Sequence, residues 1–411
     1  MLVLTTAVTA ATGPKILHNF TGGSDGELPI WYGNLVFDSK GNLYGTASGG
    51  GSSACGGGCG MVFELSPSAS GWQKTTLYNF VGGSNDGGQP DSGVVFDKAG
   101  NLYGTTVQGG AGCGTVFKLS PASGGRWDET VIHNFSGTGG NDGCEPIAGV
   151  IVDKDGNVFG TVPNGGANGD GMAFELTNSG GVWTETVLHN FGFGIDDGGS
   201  PWSVLVMDST GNLYGTTQMG GASGVGTVFK LSQSGGIWSE NVIYSFGFSG
   251  GYYPGSGVVF DKAGNLYGTA SYGGSGTVCS PSCGVVYELK HSTNGWSERV
   301  LYNFLGGTDG SYPVAGVTIA GGGLYGTTSF GGGGSCSING LTGCGTIFSL
   351  KQSSGKWAER VLRLNGTDGA NPQAGLVANK NGVIFGATLY GGSGTCSGNL
   401  PGCGVVFAVV P

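Results

Sequence analysis

Charge is the scarcest ingredient of this chain. Asp, Glu, Lys and Arg supply 10% of its 411 residues, against about 25% in an average soluble domain. What charge there is leans acidic, with a net of −10 and a pI near 4.7. Nucleic-acid binding needs a basic face for counterion release, so that class is excluded. Long apolar runs are also missing. None reaches the roughly 18 residues that would predict a membrane-spanning helix. Histidine is limited to four residues, His18, His133, His189 and His291, and neither H-E-x-x-H nor a sialidase-type Asp box occurs. The sequence therefore predicts no catalytic constellation, no metal-ligand set and no cofactor.

Glycine is what the chain has in excess, 92 residues against about 7% of an average chain. The glycines have no three-residue period and alternate with Val, Phe, Tyr and Leu runs, so they read as turn and bulge residues of an all-β protein. The motif G-N-L-Y-G-T and its variants recur seven times, with the second glycine at Gly45, Gly104, Gly160, Gly215, Gly268, Gly326 and Gly386. A period of that length means one supersecondary unit copied seven times. The second unit shows its plan. Gly93-Val-Val-Phe-Asp97 is a short strand A, and Asp97-Lys-Ala-Gly100 is a tight turn. Asn101–Thr106 returns as strand B, Gly114–Leu119 is strand C, and Trp127–Phe135 is strand D. Four short antiparallel strands repeated radially predict a seven-bladed β-propeller. Lys15–Phe20 is a D-type strand with no A, B or C before it, and Gly404–Val410 is a C-type strand with no D after it. The first strand is therefore expected to complete the last blade and leave no open edge. The propeller is expected over residues 15–411. Residues 1–14, whose first eleven are mostly apolar and end in small residues, read as a signal-peptide remnant or as an ordinary apolar tail.

Ten cysteines stand in a regular pattern. Cys59, Cys113, Cys283, Cys344 and Cys403 each precede the glycine that opens strand C, and Cys55, Cys279, Cys336 and Cys396 lie just upstream in four of those loops. Each pair could give zinc only two thiolates, with no histidine close by in sequence. Disulfides are the expected reading: Cys55–Cys59, Cys279–Cys283, Cys336–Cys344, Cys396–Cys403 and, between neighbouring units, Cys113–Cys144. Such bonds predict an oxidising location, extracellular or at a cell surface.

The core P-x-x-x-G-V-V-F-D-x-x-G-N-L-Y-G-T, followed by G-T-V-F-x-L and W-x-E-x-V-L-x-N-F, resembles the GloVer-type tandem repeats of bacterial "choice-of-anchor" surface proteins. More distantly it is similar to NHL and gluconolactonase-type propellers. The resemblance covers nearly the whole chain and implies a secreted or surface-displayed bacterial protein.

Residues repeated in most or all units read as architecture. These include the turn aspartates Asp38, Asp97, Asp153, Asp208 and Asp261, the strand aromatics, and the D–A loop aspartates such as Asp86 and Asp142. Function is expected where the units differ. Trp31, Tyr32, Trp202, Tyr252, Tyr253 and Tyr312 break the pattern in the D–A loops, as do Tyr272, Phe330 and Tyr390 in the B–C loops. Both loop sets should emerge on one face of the ring. Aromatic rings beside Asn, Gln and Asp suit stacking on sugars, and the competing reading is that they fill space between Gly-rich loops. The expected role is a binding or structural module for a glycan or protein partner, other copies of the chain included. The alternative is an extracellular polysaccharide lyase or hydrolase with its site at the channel mouth.

Overall fold

Five of the seven blades start from one carboxylate. In blade 2, Asp97 Oδ1 accepts the backbone N–H groups of Ala99 and Asn101, both at 2.9 Å, while Oδ2 accepts Asn101 Nδ2 at 2.7 Å and the Tyr103 hydroxyl at 3.1 Å. This satisfies the turn's donors and folds Val95–Phe96 back on Leu102–Thr106. The same network surrounds Asp38, Asp208 and Asp261. Asp153 makes it without a phenol, because Phe159 stands at the tyrosine position. Asn379 reproduces the two backbone contacts in blade 7.

A computed structural model describes residues 13–137, 142–338, 340–396 and 402–411. The apolar stretch 1–11 lies outside them. The described chain is all-β apart from two single 3-10 turns. Seven antiparallel sheets follow the order A-B-C-D. Blade 2 continues through strand C, Thr115–Pro121, to strand D, Trp127–Asn134. Blade 7 consists of Val377–Ala378, Ile384–Thr388 and Val405–Val409, and its outer strand is Lys15–Asn19 from the start of the chain. The closing register pairs Lys15 with Ala408 and Asn19 with Val405. The last edge is thereby covered and the ring is shut.

Apolar side chains bury between blades rather than within them. Seven hydrophobic clusters form, each drawn mainly from two neighbouring blades. At their centre the phenylalanine ending one D strand meets the strand C aromatic of the next blade edge-on. Examples are Phe80 on Phe117 at 5.0 Å and Phe135 on Phe174 at 5.4 Å between centroids. Such pairs contribute about 0.5–1.5 kcal/mol beyond their burial. The motif glycine makes room for this ring, since a Cβ on Gly104 would lie 2.6 Å from Phe117 Cζ. The Trp that opens strand D packs on a strand B aromatic of the preceding blade, as Trp127 does on Tyr44 and Trp183 on Tyr103.

Two further contacts tie blade to blade. The motif threonine donates its hydroxyl to the backbone leading into strand A of the next blade, as from Thr105 to the Ala148 carbonyl at 2.9 Å. The residue before the unit's proline donates its N–H to the residue before the strand C glycine of the preceding blade, as from Gln89 to the Cys59 carbonyl at 2.8 Å. That pre-proline residue has positive φ in all seven blades: Leu28, Gln89, Glu145, Ser200, Tyr253, Tyr312 and Asn371. Left-handed backbone at a non-glycine residue costs about 1–3 kcal/mol. Its recurrence shows that the inter-blade bond and the proline hold it in place. The proline ring lies on the strand C glycine, with Pro90 Cδ 2.4 Å from where a Cβ of Gly60 would be.

Candidate functional site

The D–A and B–C loops do share one face. Short ladders join them in blades 2 to 5: Gly87–Gly88 with Gln108–Gly109, Gly143–Cys144 with Asn164–Gly165, Gly198–Gly199 with Met219–Gly220, and Gly251–Tyr252 with Tyr272–Gly273. Bridges at Ser311–Phe330 and Ala370–Tyr390 do the same in blades 6 and 7. The cysteines pair on this face as Cys55–Cys59, Cys113–Cys144, Cys279–Cys283, Cys336–Cys344 and Cys396–Cys403. Two paired loops and a disulfide give this face a fixed shape, which lowers the ordering cost of binding.

The pattern-breaking aromatics form two groups there. Trp31 stacks on Tyr32 with 6.1 Å between centroids, and Tyr32 meets Trp202 edge-on at 5.6 Å. Blade 1 thus touches blade 4 across the channel. Trp31 Nε1 donates to Gln373 Oε1 of blade 7 at 2.9 Å. The remaining cavity is about 220 Å³, lined by Tyr32, Asn34, Trp202, Gln373 and the strand A backbones. That is below the roughly 300–1,000 Å³ of a small-molecule site, and the rings narrow the channel mouth. Beneath them, burial pushes the Asp91 carboxyl up to about 6. Burial and then the Asp91 charge push the Tyr32 phenol up to about 12.

The second group joins blades 5 and 6. Tyr272 stacks on Tyr252 at 5.6 Å and touches Tyr253 at 5.7 Å and Tyr312 at 5.5 Å, while Phe330 lies edge-on to Tyr312 at 6.0 Å. Tyr253 and Tyr312 occupy the positive-φ pre-proline position, which turns two frame positions into part of an aromatic platform. Tyr252 and Tyr312 are buried rather than exposed, because the other rings and the loops cover them. Their hydroxyls reach Ser282 Oγ and the Ser280 carbonyl. Tyr253, Tyr272 and Phe330 keep partly open ring surface. A groove beside them is lined by Thr308, Ser311, Tyr312, Phe330, Leu341 and Thr342, with Cys279 and Ser280 at one end. Tyr390 belongs to neither group and packs at the interface of blades 6 and 7.

On the outer part of this face lies an arrangement that the sequence reading missed. A D-strand residue, a D–A loop aspartate and a D-strand glutamate of the next blade converge at successive interfaces. They are Tyr78, Asp86 and Glu129; His133, Asp142 and Glu185; His189, Asp197 and Glu240; and Tyr302, Asp309 and Glu359. The loop aspartates also cap their own loops, as Asp86 does by accepting Val81 and Gly87 N–H at 2.7 Å each. Burial, and then the Asp86 charge, pushes the Glu129 carboxyl up to about 7. Between blades 7 and 1 the glutamate is replaced by Lys74, whose Nζ lies 3.2 Å from Asp25 Oδ1, with His18 Nε2 3.2 Å from Oδ2. Burial opposes ionisation of Asp25, but the His18 hydrogen bond and charge, with the Lys74 ammonium, hold its carboxyl well below the usual range. A spacing in sequence could have hinted at the triads, because His or Tyr and Glu recur on the D strands at fixed distances from Phe.

Seven four-stranded sheets, closed by the first strand and faced by clamped loops, define a seven-bladed β-propeller. The profile of the Gloeobacter/Verrucomicrobia repeat matches residues 4–140 and 113–338, and the chain belongs to that family. No curated protein matches it in sequence. Among solved structures, an ulvan lyase of a polysaccharide lyase family is similar at 10% identity and a TM-score of 0.51, over 98% of this chain and 95% of that one. A candidate 6-phosphogluconolactonase of Bacteroides uniformis is similar at 13% identity and a TM-score of 0.49, over 81% and 85%. At such identities the likeness concerns fold alone. Among the described residues no helix is long and apolar enough to cross a membrane.

Proposed function

We propose that this protein is an extracellular binding module that holds a glycan on the D–A and B–C loop face. The observation that carries this reading is the aromatic platform of Tyr253, Tyr272, Tyr312 and Phe330 beside a groove lined by Thr and Ser, on loops fixed by ladders and disulfides. Flat rings next to hydroxyl and amide groups match the apolar faces and equatorial hydroxyls of a sugar chain. Trp31 and Trp202 extend the apolar surface to the channel mouth. The five disulfides support a location outside a reducing cytosol. Glycan-array binding of wild type, Tyr272→Ala, Trp202→Ala and the opposite-face control Lys98→Ala tests the reading. Loss of one stacking ring is expected to cost about 1–3 kcal/mol, by analogy with base stacking. Binding that only Lys98→Ala weakens puts the ligand on the other face.

Asp91 favours a second reading, an enzyme acting on polysaccharide. A carboxyl with its pKa near 6 beside Tyr32 at the channel mouth is placed to exchange protons near neutral pH. Under this reading Asp91→Asn abolishes turnover of an extracellular polysaccharide without loss of binding.

A further inference from the structure

We propose that the chain holds two divalent transition-metal ions of the zinc class between blades, one at His133, Asp142 and Glu185 and one at His189, Asp197 and Glu240. The three ligand atoms of each group lie within 4.8 Å of one another. Zinc bonds to imidazole nitrogen and carboxylate oxygen are about 2.0–2.2 Å long, so the edge of a tetrahedral site is roughly 3.3–3.6 Å. His133 Nε2 stands 3.5 Å from Asp142 Oδ1 and 3.5 Å from Glu185 Oε1. Both His133 Nε2 and Glu185 Oε1 are shut off from solvent, and beyond these 3.5 Å ion-pair contacts neither has a well-formed hydrogen bond. Polar atoms left buried in this way are costly unless something binds them. In the second group His189 Nε2 is 3.0 Å from Asp197 Oδ1, and Glu240 Oε1 is again buried without a partner.

The rest of the ring supplies an internal comparison. Where histidine and aspartate meet between blades 7 and 1, a cation is built into the chain, the ammonium of Lys74. Where the D-strand residue is Tyr302, its hydroxyl donates to Asp309 Oδ1 at 2.8 Å and no imidazole is present. Among the described residues, only the two remaining histidine sites bring an imidazole nitrogen and two carboxylates together with no lysine. A divalent ion there supplies the charge that Lys74 supplies elsewhere, and the unprotonated imidazole is a good ligand for it. The aspartates are already oriented by backbone amides, Asp142 by Ser136 and Gly143 and Asp197 by Gly192 and Gly198. Such outer contacts hold a ligand carboxylate in place. Each ion would pin a D strand and its D–A loop to the next blade.

Untagged full-length protein, stripped with EDTA and desalted, is titrated with Zn²⁺ by calorimetry, and bound metal is measured after gel filtration. The wild type is expected to keep about two zinc ions per chain and to melt at higher temperature with zinc than without. His133→Tyr, which installs the residue used at Tyr78 and Tyr302, is expected to halve the zinc content. His133→Tyr with His189→Tyr is expected to remove it along with the zinc-dependent shift in Tm. Glu185→Lys, copying Lys74, should remove the first site. Wild-type protein that takes up no zinc at micromolar concentration overturns the proposal. Zinc uptake undiminished in the double variant overturns it as well.

Discussion

The two faces of the ring differ in kind. On the A–B face five blades repeat the same aspartate-centred turn down to individual hydrogen bonds. On the loop face the seven blades share a frame, the pre-proline inter-blade bond and the D–A to B–C pairing, yet no two carry the same side chains. The first face shows what one unit needs to fold. The second shows where seven copies have been allowed to differ without loss of the frame. Tyr253 and Tyr312 make the point most clearly. They stand at a position that every blade must hold in a left-handed conformation, and only these two blades use it to place an aromatic ring.

If the frame is architecture, breaking it should cost far more than altering either face. Deleting residues 1–20 should have the largest effect. It removes the strand Lys15–Asn19 and Phe20, and bares the edge of Val405–Val409. Gel filtration and light scattering should show aggregates or domain-swapped oligomers, and a monomer with unchanged Tm would contradict ring closure. Next comes Phe117→Ala, which empties a fully buried ring site between blades 1 and 2. It should destabilise by about 3–5 kcal/mol in urea unfolding.

Asp97→Ala should cost less, about 1–3 kcal/mol, since one partly exposed carboxylate and its hydrogen bonds are lost. It should leave ligand binding untouched. The smallest effect concerns pH. Burial, then Asp309, pushes the Glu359 carboxyl up to about 8, against the opposing Tyr302 hydrogen bond and Arg363 charge. A glutamate in the unfolded chain titrates at about 4.3. The fold therefore favours the neutral acid, and this contribution is complete below about pH 4 and lost as pH rises through about 8. The Tm of wild type should fall by a few degrees more than that of Glu359→Gln between pH 5 and 9. Parallel curves would remove Glu359 as the cause.

The frame was legible because it repeats. Five copies of the turn aspartate and seven each of the motif glycine and the strand C aromatic announce their roles by recurrence. The unmatched strands at the two ends imply their pairing. Cys113 and Cys144 could be joined because each was the other's only remaining partner. The candidate site was legible only in part. Trp31 lies 342 residues from Gln373, and it reaches Trp202 only through Tyr32, on the far side of the channel. No local pattern encodes a contact made by closing a ring. The burial of Tyr252 and Tyr312 is hidden for a related reason, because Tyr272 and Ser282 of the returning B–C loop cover Tyr252, and Tyr272 and Ser280 of the neighbouring blade cover Tyr312. His133 and His189 look remote and unconnected in sequence, and only blade packing brings each of them to a glutamate of the next unit.

The division of labour between the faces is tested most directly by hydrogen–deuterium exchange with and without the strongest glycan binder from the array. Protection is expected in peptides covering 250–255, 271–275 and 310–314, which form the aromatic platform, with no change in the turns at 97–101 and 208–212. Protection confined to those turns, with the platform unchanged, would contradict the assignment of function to the loop face.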